Sequence, residues 1–328
     1  LRVLVPASHE IAVENFTKAG LAAPAWHPIA VGPRDAAEAW ATAAAHGMVF
    51  LLAARTLSGR RTARLLAGML ALSGSAMSLL AISQHALGAK RIFFVGLERD
   101  QFYGTFVNGN HAATFLGAGA LCGLGLLLRE RDTGRKLAWG VAGVVSAIGA
   151  MYSLSRGGVI ALAAGLVVFL AGAAVLQSAA RRRSADEIGR FFRRNAVPLM
   201  LTGLAVFYLS WLGPKRIGRE LATLAAMDLP KDYRARVWAD SAIAISDWPV
   251  TGSGPGTFAH VYPRYRSFPA DVTTEMAESD WVQTGVENGV LGFALVGGFV
   301  TLLFARFGGA FVRDPLRFSG AHLGLAAA

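Results

Sequence analysis

The sequence predicts an all-α, polytopic integral membrane protein, and three observations carry that prediction. Apolar residues make up 54% of the 328 and charged residues only 16%, with 38 glycines, which is too apolar for a soluble domain of this length. Apolar runs of spanning length, about 20 residues each, recur along the chain. The connectors between them alternate between strongly basic and mixed, as the two sides of a membrane require.

Taken in order, residues 1–35 carry Pro6, Pro24, Pro28 and Pro33, which break any long helix, and are expected to be an extramembrane segment following an earlier span. Spans are expected at 36–54, 65–83 and 112–128. Residues 137–176 are 40 residues with one charge, Arg156, at their centre. They read as two helices with Arg156 at the turn. Residues 196–212 and 286–304 follow, with another span beginning near Gly320. The chain opens at Leu1 and stops inside an apolar run, so it reads as a slice of a longer protein. The domain reading is therefore an N-terminal segment (1–35), a bundle of about six spans (36–212), a long polar loop (213–285) and a C-terminal span with the start of another (286–328).

Orientation follows from the connectors. Residues 55–64, 129–136, 177–195 and 305–319 together hold 17 basic and five acidic residues, a net +12 that accounts for the whole +11 of the chain. The basic excess is thus one of topology, and no nucleic-acid partner is expected. The alternation places 1–35, 85–110, Arg156 and 213–285 on the opposite, extracytoplasmic face.

The stretch 213–285 is the one long polar segment, with eight Lys/Arg and nine Asp/Glu between two apolar runs. A loop of this length is usually functional. Residues 233–248 have helical spacing, with Arg234, Trp238, Ser241 and Ile245 on one face, and Pro249 ends that helix. GSGPG at 252–256 is a tight turn; it follows no strand, so it is not a dinucleotide fingerprint. Residues 257–266 suggest a second short helix interrupted by Pro263, and from Ala277 the chain can run directly into the last full span. The loop is expected to be two or three helices lying on the membrane face.

Candidate functional residues carry two readings each. Arg156, in Ser-Leu-Ser-Arg-Gly-Gly, is either a snorkelling turn residue or a bidentate phosphate donor. Arg234 and Arg236 pair with Asp232 or Asp240 on an exposed helix, or bind an anion; Arg264 and Arg266 pose the same alternative. Asn108 or Asn110 can cap the helix entered by GTFVNGNHAATFL, and His111 near its start reads as solvated. The single cysteine, Cys122, lies in an apolar run, and the seven histidines show no ligand spacing, so no metal is expected.

Together, GTFVNGNHAA, YSLSRGGVIAL, the Arg-x-x-x-Trp at Arg234 and Trp238, WPVTGSGPGTFAHVYPRYR and DWVQTGVENGVLG resemble the O-antigen ligase and O-antigen polymerase superfamily of bacterial envelope proteins. The ordered set covers about residues 100–304. The resemblance implies an all-helical protein of the bacterial inner membrane with its active loop facing the periplasm. It implies transfer of glycan from an undecaprenyl-pyrophosphate donor to a glycan or lipid A core hydroxyl, without cofactor or metal. Arg156 and Arg234 would neutralise the pyrophosphate, converging in one pocket. Arg236, Arg264, Arg266, His260, Asp280, Gln283 and Asn110 are the further substrate-binding candidates. Two departures stand out. The stretch Met276-Ala277-Glu278-Ser279-Asp280 lacks the family's usual histidine, and Gly109 stands where the family's asparagine-rich motif has an arginine. Glu278, Asp280 and His260 are therefore the candidate bases. Glu278 is favoured, with partial burial expected to suit it to that role; the alternative is that it caps the following helix. A lipid-linked-glycan transporter and an inactive glycan-lipid-binding relative are the competing classes. The transporter reading is disfavoured by the near absence of charge inside the spans.

Overall fold

The computed structural model describes residues 6–22, 28–56, 59–92, 103–128, 130–153, 155–181, 233–269 and 274–314, with isolated positions near the C-terminus; of residues 6, 56, 156 and 177–181 it describes the backbone alone. The chain is all-α. Among the described residues no strand forms; Tyr103 and Phe106 make an isolated bridge. Two compact units emerge, one from Leu1–Arg55 with Met227–Gly308, the other from Thr56–Ala226 with Gly309–Ala328.

The first unit holds α1 (Pro6–Lys18), α2 (Pro33–Thr56), α7 (Tyr233–Asp247), the single-turn α8 (Phe258–Val261) with a 3-10 turn at Tyr262–Arg264, and most of α9 (Asp280–Arg313). The 3-10 turn falls at Pro263, as a missing backbone donor there requires. Helix α1 was not foreseen: Pro6 begins it, where a proline costs no hydrogen bond. Its Ile11 enters a core of Val237, Ala244, Trp248, Phe258, Val261, Tyr262, Ala277 and Val286. The indole of Trp248, 1% exposed, donates to Ser8 Oγ at 2.9 Å, tying α1 to the polar loop.

The second unit holds α3 (Arg60–Ala86), α4 (Gly109–Leu127), α5 (Thr133–Tyr152) and α6 (Arg156–Arg181). Helix α4 begins with Asn108 as its cap, accepting from Asn110 N at 2.8 Å, and α5 with Asp132, accepting from Arg135 N at 2.8 Å. Small residues let these helices approach closely. A Cβ on Gly123 would sit 2.8 Å from Gly143 Cα, so the α4 and α5 backbones touch there as tightly packed membrane helices do.

Among the described residues, five helices are long and apolar enough to cross a membrane: Pro33–Arg55, Arg60–Ala86, Gly109–Leu127, Gly157–Leu176 and Asp280–Arg313. Helix α5 forms where a span was expected but is not among these five. The expected span at 196–212 and most of the segment after Gly320 lie outside the described residues.

Candidate active site

The polar loop is built around a break in α9. Gly289 has φ 56° and ψ −156°, a non-helical conformation inside the helix. The helix runs from Asp280 directly into the span, with this break inside it. The break frees backbone groups on both sides, and the GSGPG turn takes them up. Ser253 N and Gly254 N donate to the carbonyls of Val286 and Glu287, both at 2.9 Å. Val290 N and Leu291 N donate to Pro249 O and Val250 O at 2.9 and 3.2 Å. Gly252, at φ 67°, is required for this fit, since a Cβ would meet the Glu287 backbone at 2.1 Å.

Glu287 completes the joint. Its buried carboxylate accepts from Gly256 N at 2.8 Å, Phe258 N at 3.1 Å and Gln283 Nε2 at 3.1 Å. A buried carboxylate needs such donors. Glu287 lies within DWVQTGVENGVLG, where its sequence signal is a lone acid at the head of an apolar run, one turn after a glutamine. Gln283, a substrate-binding candidate, therefore holds Glu287, and its Oε1 also accepts from Ala277 N at 3.4 Å.

Helix α7 lies across this joint. Its buried residues are Val237, Asp240, Ser241 and Ala244, which leaves Arg234 and Trp238 on the exposed edge beside them. Asp240 does not pair with Arg234. Its Oδ2 accepts from Tyr262 Oη and Ser267 N, each at 3.1 Å. Burial, with Asp240 adding to it, pushes the Tyr262 phenol well above its ordinary range. Tyr265, donating to Asp247 at 2.5 Å, is raised first by burial and then by Asp247.

Arg234 instead reaches Glu278, Nη2 to Oε2 at 3.2 Å. Trp238 Nε1 donates to Ala277 O at 2.9 Å, and Tyr233 Oη lies 2.6 Å from Thr274 Oγ1. The segment preceding α9 is thus held along one edge of α7 by three side chains. Glu278 is the one non-glycine described residue with positive φ, at 54°. Its side chain is 37% exposed, which corrects the expectation of partial burial: it projects from a strained turn rather than packing into the core. Nor does it cap the helix. That role falls to Ser279, whose carbonyl accepts from Gln283 N at 2.9 Å and whose Oγ lies 3.5 Å from Val282 N. Asp280 opens α9, where a carboxylate suits the helix dipole.

Among the described residues, the other basic side chains of the loop divide into two groups. Arg236 and Arg266 both lie over the Phe268 ring, at 5.5 and 5.4 Å from its centroid. Arg264 pairs with Glu14 at 3.1 Å, and His260 with Asp35 at 3.1 Å, so both reach residues of the N-terminal segment. Among the described residues, no group of three or more His, Cys, Asp or Glu is placed to hold a metal ion.

In the second unit the two other motifs meet. Ser155 Oγ donates to Asn110 Oδ1 at 2.7 Å and accepts from Gly158 N at 3.0 Å, capping α6 while binding the start of α4. A Cβ on Gly109 would lie 2.9 Å from Ser153 O and 3.0 Å from the Tyr103 ring, so an arginine there would displace both. Arg156 opens α6, but its side chain lies outside the described residues, as does the question of its convergence with Arg234.

Residues 141–297, just under half of the chain, match the family model described as O-antigen ligase. The match runs from α5 into α9 and takes in both the Ser155 cap and the whole joint between α7, the GSGPG turn and α9. No curated protein and no solved structure matches the chain.

Proposed function

We propose, taking the chain as the O-antigen ligase-like membrane protein that this match and its apolar helices indicate, that it transfers glycan from an undecaprenyl-pyrophosphate carrier to an acceptor hydroxyl at the outer face of the inner membrane. The observation that carries this reading is the pairing of Arg234 with Glu278 at 3.2 Å, on an exposed edge within the matched residues.

In this reading the pair is a resting state. A pyrophosphate presents several anionic oxygens and competes for the guanidinium, whose planar fork binds such groups in two contacts at once. Arg236 and Arg266, lying over Phe268, add charge nearby, and Arg156 is a further candidate from the second unit. With Arg234 engaged by the donor, the Glu278 carboxylate is left to accept a proton. The acceptor oxygen forms its bond to the anomeric carbon as the carbon–oxygen bond to the pyrophosphate breaks. The leaving undecaprenyl pyrophosphate takes the electron pair, and the hydroxyl proton passes to Glu278. Arginine charge stabilises the leaving group as its negative charge grows, and a positioned base contributes about 10²–10⁴-fold.

The glycan profile of a deletion strain tests the reading. Accumulation of free lipid-linked chains marks a ligase, and loss of long chains with single repeats retained marks a polymerase. An unchanged profile, with purified protein also failing to release undecaprenyl pyrophosphate, overturns it in favour of a binding role without transfer.

A further inference from the structure

A cleft of about 480 Å³ lies within the first unit, between α1, the turn leading into α2, and α8 with its 3-10 turn. It belongs neither to the Arg234–Glu278 pair nor to the Glu287 joint. Its volume falls within the range of about 300–1,000 Å³ typical of small-ligand sites. The polar lining is Glu14, Asn15, Lys18, Asp35, His260 and Arg264, over a floor that includes Ile11 and Val31.

Two carboxylates face one lysine, one arginine and the His260 imidazole, and these groups are already engaged with one another. Glu14 holds Lys18 at 2.7 Å and Arg264 at 3.1 Å, and Asp35 holds His260 at 3.1 Å. Each of these cations is opposed by a carboxylate, whereas a pyrophosphate needs several unopposed ones. What the cleft offers instead is a dense set of donors and acceptors, most of them brought together by exposed ion pairs. Carboxylate and amide oxygens accept from hydroxyls, and guanidinium, ammonium and amide N–H groups donate to them. Aliphatic carbons beneath accept the C–H face of a ring. That is the chemistry of an uncharged sugar.

We propose that this cleft is a subsite for a neutral oligosaccharide segment, holding glycan at a distance from the reacting bond. The proposal rests on the transfer reading above for its purpose, but not for its geometry. Since the cleft is made jointly by the N-terminal segment and the polar loop, it also gives α1 a role that the family match, beginning at residue 141, does not cover.

The test titrates the full-length protein in detergent with neutral trisaccharides of the glucose, galactose, mannose and rhamnose series, read by saturation-transfer NMR. Inorganic pyrophosphate and farnesyl pyrophosphate serve as comparators. At least one neutral trisaccharide binds the wild type. Asn15→Leu and Asp35→Asn each weaken it by about tenfold, the effect of losing one well-made hydrogen bond, while farnesyl pyrophosphate binding and the melting temperature stay as in the wild type. If no trisaccharide binds, or if neither variant changes binding, the subsite does not exist. If these variants abolish pyrophosphate binding instead, the cleft is an anion site and the proposal is wrong. Failure of the transfer reading is separate: it shows as an unchanged glycan profile in the deletion strain, whatever the titration gives.

Discussion

Arg234 and Glu278 meet across 44 positions of sequence, guanidinium Nη2 to carboxylate Oε2 at 3.2 Å. With side chains 48% and 37% exposed, such a pair contributes only about 0–1 kcal/mol to stability. Glu278 also holds a positive φ, which costs a non-glycine residue about 1 kcal/mol or more. On the transfer reading, a strained residue held in a weak, exposed pair serves the reaction rather than stability.

The first prediction follows from that imbalance. Glu278→Gln keeps the size of the side chain and most of its hydrogen bonding but removes the base. Transfer should fall by about 10²–10⁴-fold while the melting temperature moves by no more than a surface substitution allows. Arg234→Lys should also impair turnover, because an ammonium cannot reproduce the two-point contact. Full activity in both variants would dissociate the pair from the reaction.

Glu287 should behave in the opposite way. Glu287→Ala leaves the Gly256 and Phe258 amides and the Gln283 carboxamide without their acceptor, and each unsatisfied buried donor costs about 1–3 kcal/mol. The protein should lose several degrees of thermal stability, with proteolytic nicking appearing first in the 252–258 turn. Wild-type melting behaviour in this variant would mean that the joint between the turn and α9 is not held by the carboxylate.

Gly289→Ala probes the same joint through the backbone. Its Cβ would lie 2.6 Å from Val250 O and 2.7 Å from Gly252 N, at a φ that alanine tolerates poorly. Either α9 straightens and sheds the turn, or the turn stays and the helix strains. Both should reduce folded yield by more than a Gly297→Ala control, whose Cβ meets nothing within 4 Å. Equal yields would show the break to be dispensable.

How far the sequence foretold this arrangement depends on the kind of signal. Apolar runs and caps gave the helices, because hydrophobic length and an Asn or Asp before a helix act locally. Pro263 and the GSGPG turn were legible for the same reason. Arg234 stands out by the side of the membrane expected for its loop; of the partners within helical reach, Asp240 binds Tyr262 and Ser267 instead and Asp232 lies outside the described residues, while Glu278 reaches Arg234 from across the loop. The break at Gly289 was invisible: glycine is common in apolar spans, and only the GSGPG turn, 33 residues upstream at its Gly256, shows why this one unwinds. Glu14 and Asp35 passed unnoticed because a helix among four prolines, and its docking on α8, are tertiary facts.

The last prediction concerns that docking and its dependence on pH. Glu14 joins α1 to the loop through Arg264 while also holding Lys18 on its own helix. Its carboxyl is held below the ordinary glutamate range, first by the Lys18 hydrogen bond and charge and then by Arg264. A carboxylate whose folded value is lowered adds stability above its unfolded value, about 4.3, and loses it as pH falls through the folded one. Amide hydrogen exchange in α1 should therefore be faster in Glu14→Gln than in the wild type at neutral pH. The difference should shrink on acidification and vanish below the folded value, where both side chains are neutral. Comparing the two proteins at each pH cancels the intrinsic pH dependence of exchange. The Ser8–Trp248 bond carries no titrating group, so it sets the protection that remains in acid. A difference that persists undiminished at about pH 2, well below any carboxylate's usual range, would show that Glu14 holds α1 by shape alone and not by charge.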